Sequence, residues 1–219
     1  MRAVIFDLDG TLADTSGDLL AAANFCFRDM GLGDLLGPQD AGVALRGGRR
    51  MLTVGLKRAS RFDANLVDQY YPVLLGAYGK AIAHHTVLYP GAMDAVEALK
   101  SAGMQVGICT NKPEGLAETL MQELGVRDAF GALVGADTLP VRKPNPEPLH
   151  ETARRLGASQ YLLVGDTDTD RKTAAAAKVP SVLVTFGPSG GDMAALEPEA
   201  LIDRFDELPA VAARLLGER

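Results

Sequence analysis

Short stretches of uninterrupted apolar residues recur along the chain, at 3–6, 106–109, 132–136, 162–165 and 182–185. Runs this short, apolar throughout rather than alternating, have the character of strands covered on both faces of a parallel sheet. Between the last four, the apolar positions fall into helical spacing over 113–124, 146–156 and 170–178. A further helical pattern at 92–102 leads into the second strand, with Gly103 placed to end it. Strand alternating with helix predicts an α/β fold built on a doubly wound, Rossmann-like parallel sheet.

About a hundred residues separate the first two strands, and most of them favour helix. Amphipathic spacing recurs at 19–30 and 65–82, with glycine-containing breaks at 31–37 and 42–48. The pattern predicts a helical cap domain, 16–83, inserted after the first strand. Residues 1–15 and 84–219 then form the α/β catalytic core, and the linkers fall near 14–17 and 82–90.

Composition narrows the class further. A net charge of −6 over 219 residues argues against a broad nucleic-acid footprint, since phosphate backbones are bound mainly through Lys and Arg. Two cysteines, Cys26 and Cys109, supply neither a disulfide framework nor a metal quartet. The first apolar run is four residues long and ends in acid, which is no leader peptide. No stretch approaches the ~20 apolar residues of a membrane helix. The expectation is a soluble, cytoplasmic protein, monomer or homodimer, with no nucleic-acid or membrane partner.

The chemistry gathers where strands stop. The first predicted strand runs into Asp7, the second into Thr110, the third into Asp137 and the fourth into Asp166. Ligands of open parallel sheets bind just beyond the carboxyl ends of the strands. Four segments therefore belong together: Asp7-Leu8-Asp9-Gly10-Thr11, Thr110-Asn111-Lys112, Lys143-Pro144 and the run from Gly165 and Asp166 to Asp170. Asp7 and Asp9, two residues apart on an extended chain, share a face about 7 Å apart. Like charges beside an apolar run call for a compensating cation. Carboxylates, a hydroxyl and an ammonium at one rim suit Mg²⁺ together with a phosphate ester. A calcium loop counted from Asp7 fails, because its sixth and twelfth positions hold Leu12 and Asp18 rather than Gly and Glu.

These four segments, in this order, resemble the haloacid dehalogenase superfamily of phosphatases, whose marks are DxDGT after the first strand, Ser or Thr after the second, a Lys, and GDxxxD. The resemblance spans the whole chain. It implies Asp7 as nucleophile, forming an aspartyl-phosphate, and Asp9 as the acid and then the base. It implies Thr110 and Lys143 as catalytic partners on the phosphoryl group, with Thr11 and Asn111 completing a phosphate cradle. It also implies Mg²⁺ held by Asp7, Asp9 and Asp166, with Asp170 supporting the metal or Lys143. Stretches such as Tyr89-Pro90-Gly91, Thr110-Asn111-Lys112-Pro113 and Arg142-Lys143-Pro144-Asn145-Pro146 are similar to the phosphoglycolate phosphatase branch. That branch implies hydrolysis of 2-phosphoglycolate, a small-molecule phosphate ester whose carboxylate could be met by Arg46, Gly47, Gly48 and Arg49, with Arg50 beside them. A sugar-phosphate phosphatase or phosphosugar mutase of the same superfamily is the alternative. Two departures stand out: Arg46-Gly47-Gly48 replaces a more usual Gly-Asn-Gly, and Ala177-Lys178-Val179 stands where Ala-Ala-Gly is usual.

Overall fold

The computed structural model describes residues 1–187 and 192–217. In chain order the elements are β1 (Arg2–Phe6), β2 (Ala13–Asp14), α1 (Ser16–Asp29), α2 (Ala41–Ala44), α3 (Gly48–Arg58), α4 (Ala64–Lys80), β3 (Val87–Leu88), α5 (Ala92–Ser101), β4 (Gln105–Cys109), α6 (Glu114–Glu123), β5 (Ala132–Val134), α7 (Glu147–Arg155), β6 (Gln160–Gly165), α8 (Asp168–Ala177), β7 (Ser181–Val184), β8 (Ala200–Ile202) and α9 (Leu208–Leu216). Contacts divide the chain into two units. One comprises Met1–Ala13, Leu88–Gly187 and the C-terminal segment, described over 192–217; the other is Asp14–Val87. These boundaries lie a few residues from 16–83, and residues 188–191 and 218–219 of the expected core lie outside the described residues.

The first unit carries a six-stranded sheet in the order β5-β4-β1-β6-β7-β8, every pairing parallel. All five predicted strands are present within one or two residues of their expected ends. The sixth, β8, is too short and too polar in its surroundings to stand out in the sequence, and α9 after it was likewise unforeseen. Central strands are sealed on both faces, with Ala3, Val4, Ile5, Phe6, Leu162, Leu163 and Val164 all fully buried. That burial is why they read as unbroken apolar runs. The chain order reverses around β1, because β4 and β5 lie to one side and β6, β7 and β8 to the other. A crevice opens at such a switch point, at the carboxyl ends of the strands.

Lys178 shows what the Ala-Lys-Val departure costs. It terminates α8 in the left-handed conformation at φ +57°, the position where Gly is favoured because it has no Cβ to clash.

The second unit is helical. Its α1 and α4 pack together, as do α3 and α4, around Phe27, Met51, Leu52, Leu56, Leu74 and Tyr78. Helix α3 begins at Gly48, within the stretch expected to be a break. Polar side chains tie down its loops. Asn24 accepts from the amides of Leu35 and Leu36, at 3.1 Å each, and donates to the Leu36 carbonyl. The buried Asp18 carboxylate accepts from the amides of His85 and Thr86 and from the Thr86 hydroxyl, so the segment leaving α4 is sewn to the start of α1.

Asp40 is gripped by both nitrogens of the Arg58 fork, at 2.6 and 2.7 Å, and by the Gly37 amide. The Arg58 hydrogen bonds hold its carboxyl below the usual carboxylate range. A carboxyl whose pKa falls on folding stabilises the fold above its unfolded value and loses that contribution as acid protonates it. Replacing Arg58 with Ala is therefore expected to destabilise this unit by about 1–2 kcal/mol at pH 7, and by progressively less below about pH 4. Chemical denaturation at pH 7 and pH 3 measures the difference.

Candidate active site

Three neighbouring strands deliver the central side chains. Phe6 of β1 is level with Ile108 of β4 and with Val164 of β6. Asp7 follows β1 directly, Thr110 follows β4, and Asp166 follows β6. Strands lie about 4.8 Å apart, so residues distant in sequence meet at the rim.

Asp7 is almost buried, 9% exposed. Its Oδ1 accepts from the Leu8 amide at 2.7 Å and lies 3.1 Å from the Lys143 ammonium. Burial pushes its carboxyl up to about 6, against the pull of Lys143 and with the help of Asp170 and Asp9. After Asp7 the chain turns through Gly10, at φ +83°, while the Leu8 carbonyl accepts from the amides of Thr11, Leu12 and Ala13. The turn buries Thr11 completely, and its hydroxyl donates to Asp166 Oδ1 at 3.0 Å. Thr11 thus orients the Asp166 carboxylate.

Lys143 is 3% exposed and pairs with Asp170 at 2.7 Å as well as with Asp7. Burial opposes its charge, but Asp170 and Asp7 outweigh that effect and hold it protonated. Asp170 lies in the first turn of α8. Its Oδ2 accepts from the amides of Asp166 and Thr167 and from the Thr167 hydroxyl, which in turn accepts from the Asp170 amide in a capping box. Gly165 makes room for this: a Cβ there would lie 2.3 Å from Asp170 Cβ. Asp166 is fully buried, and burial with the charges of Asp170 and Asp7 pushes it well above the usual carboxylate range.

The segment after β4 is pinned just as firmly. The Thr110 amide donates to Val134, and the Thr110 hydroxyl accepts from the Lys112 amide at 3.2 Å. Asn111 donates its side-chain amide to the Lys143 carbonyl at 3.0 Å. Lys112, which the sequence pattern does not single out, is 6% exposed and sets its ammonium 2.7 and 3.0 Å from the two Asp9 oxygens. Only its place two residues past Thr110 could have flagged it. Asp137 accepts from the Glu114 amide and so caps α6. Cys109 is buried, and burial pushes its thiol up to about 12, which removes it as a nucleophile at neutral pH.

Asp7, Asp166 and Asp170 each bring one carboxylate oxygen to within 4.8 Å of the others. Four carboxylates (Asp7, Asp9, Asp166 and Asp170) face two ammonium groups, Lys112 and Lys143. When all are ionised, two negative charges remain, which suits a divalent ion with a preference for oxygen. The donor set fits Mg²⁺. In the helical unit, Arg49 is paired with Asp68 and its guanidinium lies 4.6 Å from the centre of the Tyr71 ring. Arg46 and Arg50 are exposed.

Fold and site together define a doubly wound α/β core with an acidic, lysine-balanced centre at the carboxyl edge of its parallel sheet. The family model of the haloacid dehalogenase-like hydrolases matches residues 1–178. A phosphoglycolate phosphatase of Rhodospirillum rubrum is 38% identical over 218 residues, covering 94% of this chain and 89% of that protein. One from Mesorhizobium japonicum is 36% identical, covering 97% and 95%. The crystal structure of a predicted phosphoglycolate phosphatase from Haemophilus somnus superposes with a TM-score of 0.85 at 25% identity, over 95% of this chain and 96% of that one. The chain belongs to the haloacid dehalogenase-like hydrolases.

Proposed function

We propose that this protein is a Mg²⁺-dependent phosphomonoesterase that hydrolyses 2-phosphoglycolate to glycolate and phosphate through an aspartyl-phosphate. The observation that carries this reading is the buried cluster of Asp7, Asp166 and Asp170 with Lys143 set between two of its members. Phosphoryl transfer asks little covalent work of a protein beyond placing a nucleophile and balancing charge, and this cluster is arranged for both. The substrate assignment is supported by relatives named phosphoglycolate phosphatase, aligned along nearly the whole chain.

Asp7 is the nucleophile. The Leu8 amide and Lys143 both engage Oδ1, which leaves lone pairs on Oδ2 for attack. As the Oδ2–P bond forms and the ester P–O bond breaks, the electron pair passes to the leaving oxygen, which takes a proton from Asp9. Water then attacks phosphorus and gives its proton to Asp9. The P–Oδ2 bond breaks, and the Asp7 carboxylate returns. Thr110 donates its hydroxyl proton to a phosphoryl oxygen, and Lys143 offsets the negative charge that grows there. Asp7, Asp166 and the Asp9 carbonyl would hold Mg²⁺, which supplies positive charge to the phosphoryl oxygens. Asp170 already accepts four hydrogen bonds, close to the capacity of a carboxylate. Its part is to fix Lys143.

The test is a panel of phosphate esters with and without Mg²⁺. Turnover is expected to vanish in chelator and return with Mg²⁺, with 2-phosphoglycolate giving the highest kcat/KM. A sugar phosphate as best substrate would displace the phosphoglycolate assignment. In the same panel, replacing Arg46 with Ala is expected to raise KM for 2-phosphoglycolate about tenfold, the loss of roughly one charge-assisted contact. An ester lacking a carboxylate should be unaffected.

A further inference from the structure

Lys112 has no part in the scheme above, yet it is the most tightly placed cation at the site after Lys143. Its backbone is fixed at both ends: the amide donates to the Thr110 hydroxyl and the carbonyl accepts from the Ala136 amide at 2.9 Å. Pro113, at φ −52°, follows immediately and opens α6. From this clamped turn the side chain, 3% exposed, reaches across from the β4 side of the sheet edge to the β1 side and ends against both oxygens of Asp9. The Asp9 side chain is 17% exposed, so the pair lies where solvent screens it only in part.

A solvent-facing lysine gains little from such a contact. Burying one costs desolvation and side-chain entropy, and here the buried ammonium ends against a carboxylate two residues from the nucleophile. We propose that Lys112 is the positioning residue for Asp9, holding the carboxyl group aimed at the oxygen that leaves phosphorus. The inference rests on the phosphatase reading. The ammonium needs only one Asp9 oxygen to keep the group in place, so the other can carry the proton that passes to the leaving alkoxide. Without Lys112 the Asp9 carboxyl loses the contact that aims it, and proton delivery coincides less well with P–O cleavage. Effective geometry of this kind is a large part of general acid catalysis.

The dependence on leaving group isolates this role. An alkoxide must be protonated as it departs, whereas a nitrophenolate leaves without help. The experiment compares wild type with Lys112→Met, Lys112→Gln and Lys112→Arg on 2-phosphoglycolate, ethyl phosphate and p-nitrophenyl phosphate. It reads kcat/KM, which reports the steps up to departure of the leaving group. Lys112→Met is expected to lose about 10²-fold on both alkyl esters, the size of a misplaced general acid, and less than about threefold on the aryl ester. Lys112→Arg is expected to recover part of the alkyl activity, since it restores a cation to the turn. Should the Met variant fail to fold, the Gln variant carries the same comparison.

Equal losses on all three esters would overturn the role in favour of general structural or charge support. A loss confined to 2-phosphoglycolate would overturn it in favour of a contact with the substrate carboxylate. Wild-type protein inactive on every ester would sink the phosphatase reading and this role with it. An active wild type with parallel losses sinks the role alone.

Discussion

Replacing Asp7 with Asn is expected to lower kcat by at least about 10⁴-fold, in line with removal of a covalent nucleophile, while the protein remains folded. An amide is isosteric with the carboxylate but cannot displace an alkoxide from phosphorus to give a stable acyl phosphate. The fold should tolerate the change because Lys143 keeps its closer partner, Asp170, at 2.7 Å. Burial and the nearby carboxylates push Asp7 up to about 6, so its charge is held at a cost that a neutral side chain relieves. The thermal midpoint in metal-free buffer should be no lower than that of wild type. Rapid mixing with 2-phosphoglycolate should show no burst of glycolate. Hydrolysis at an undiminished rate would remove Asp7 from the role of nucleophile.

Lys143 is expected to behave in the opposite way. Its ammonium lies 2.7 Å from Asp170 and 3.1 Å from Asp7, with a side chain only 1% exposed. Replacing it with Met leaves two buried carboxylates facing each other without their cation. Breaking a buried pair from one side typically costs about 3–5 kcal/mol. For a chain of this size that corresponds to a fall in thermal midpoint of roughly 6–20 °C. Activity should fall with it, since the charge that steadies the phosphoryl group is gone. Added Mg²⁺ should recover part of the lost stability by supplying positive charge to the same carboxylates, but not the activity. Differential scanning calorimetry with and without Mg²⁺ separates the two effects. A Met variant as stable as wild type in metal-free buffer would show that the Lys143 pairs contribute nothing to the fold.

How far the sequence led differs from element to element. Strands β1, β4, β5, β6 and β7 were legible because burial on both faces leaves an unbroken apolar run that local reading detects. Strand β8 was not, since three residues at a sheet edge, with Leu201 37% exposed, carry no such signature. Helix α3 begins at Gly48, inside a stretch whose glycines read locally as a break. There the packing of Met51, Leu52 and Leu56 outweighs local propensity. The meeting of Asp7, Asp166, Asp170 and Lys143 could be anticipated because they stand at or near predicted strand ends, in the order of a known family's motifs. That of Lys112 with Asp9 could not, because one lysine in a turn looks the same whether it is solvated or buried against a carboxylate. The buried position of Thr11 was likewise invisible, since a threonine after a glycine turn can face a ligand or a neighbouring side chain.

Acting alone, the amino-acid order determined the alternation of strand and helix, the helical insert and the set of chemical groups that end the strands. These follow from local periodicity and from residue type, which need no knowledge of what lies alongside. Only the tertiary structure decided who meets whom. The strand order β4-β1-β6 brings residues more than a hundred positions apart to neighbouring strand ends. It sets Lys143 between Asp7 and Asp170, gives the Thr11 hydroxyl to Asp166 and places Lys112 against Asp9. Charge interactions fall off with distance through space and take no account of separation along the chain, so the partners at this site are settled by the sheet's order of strands.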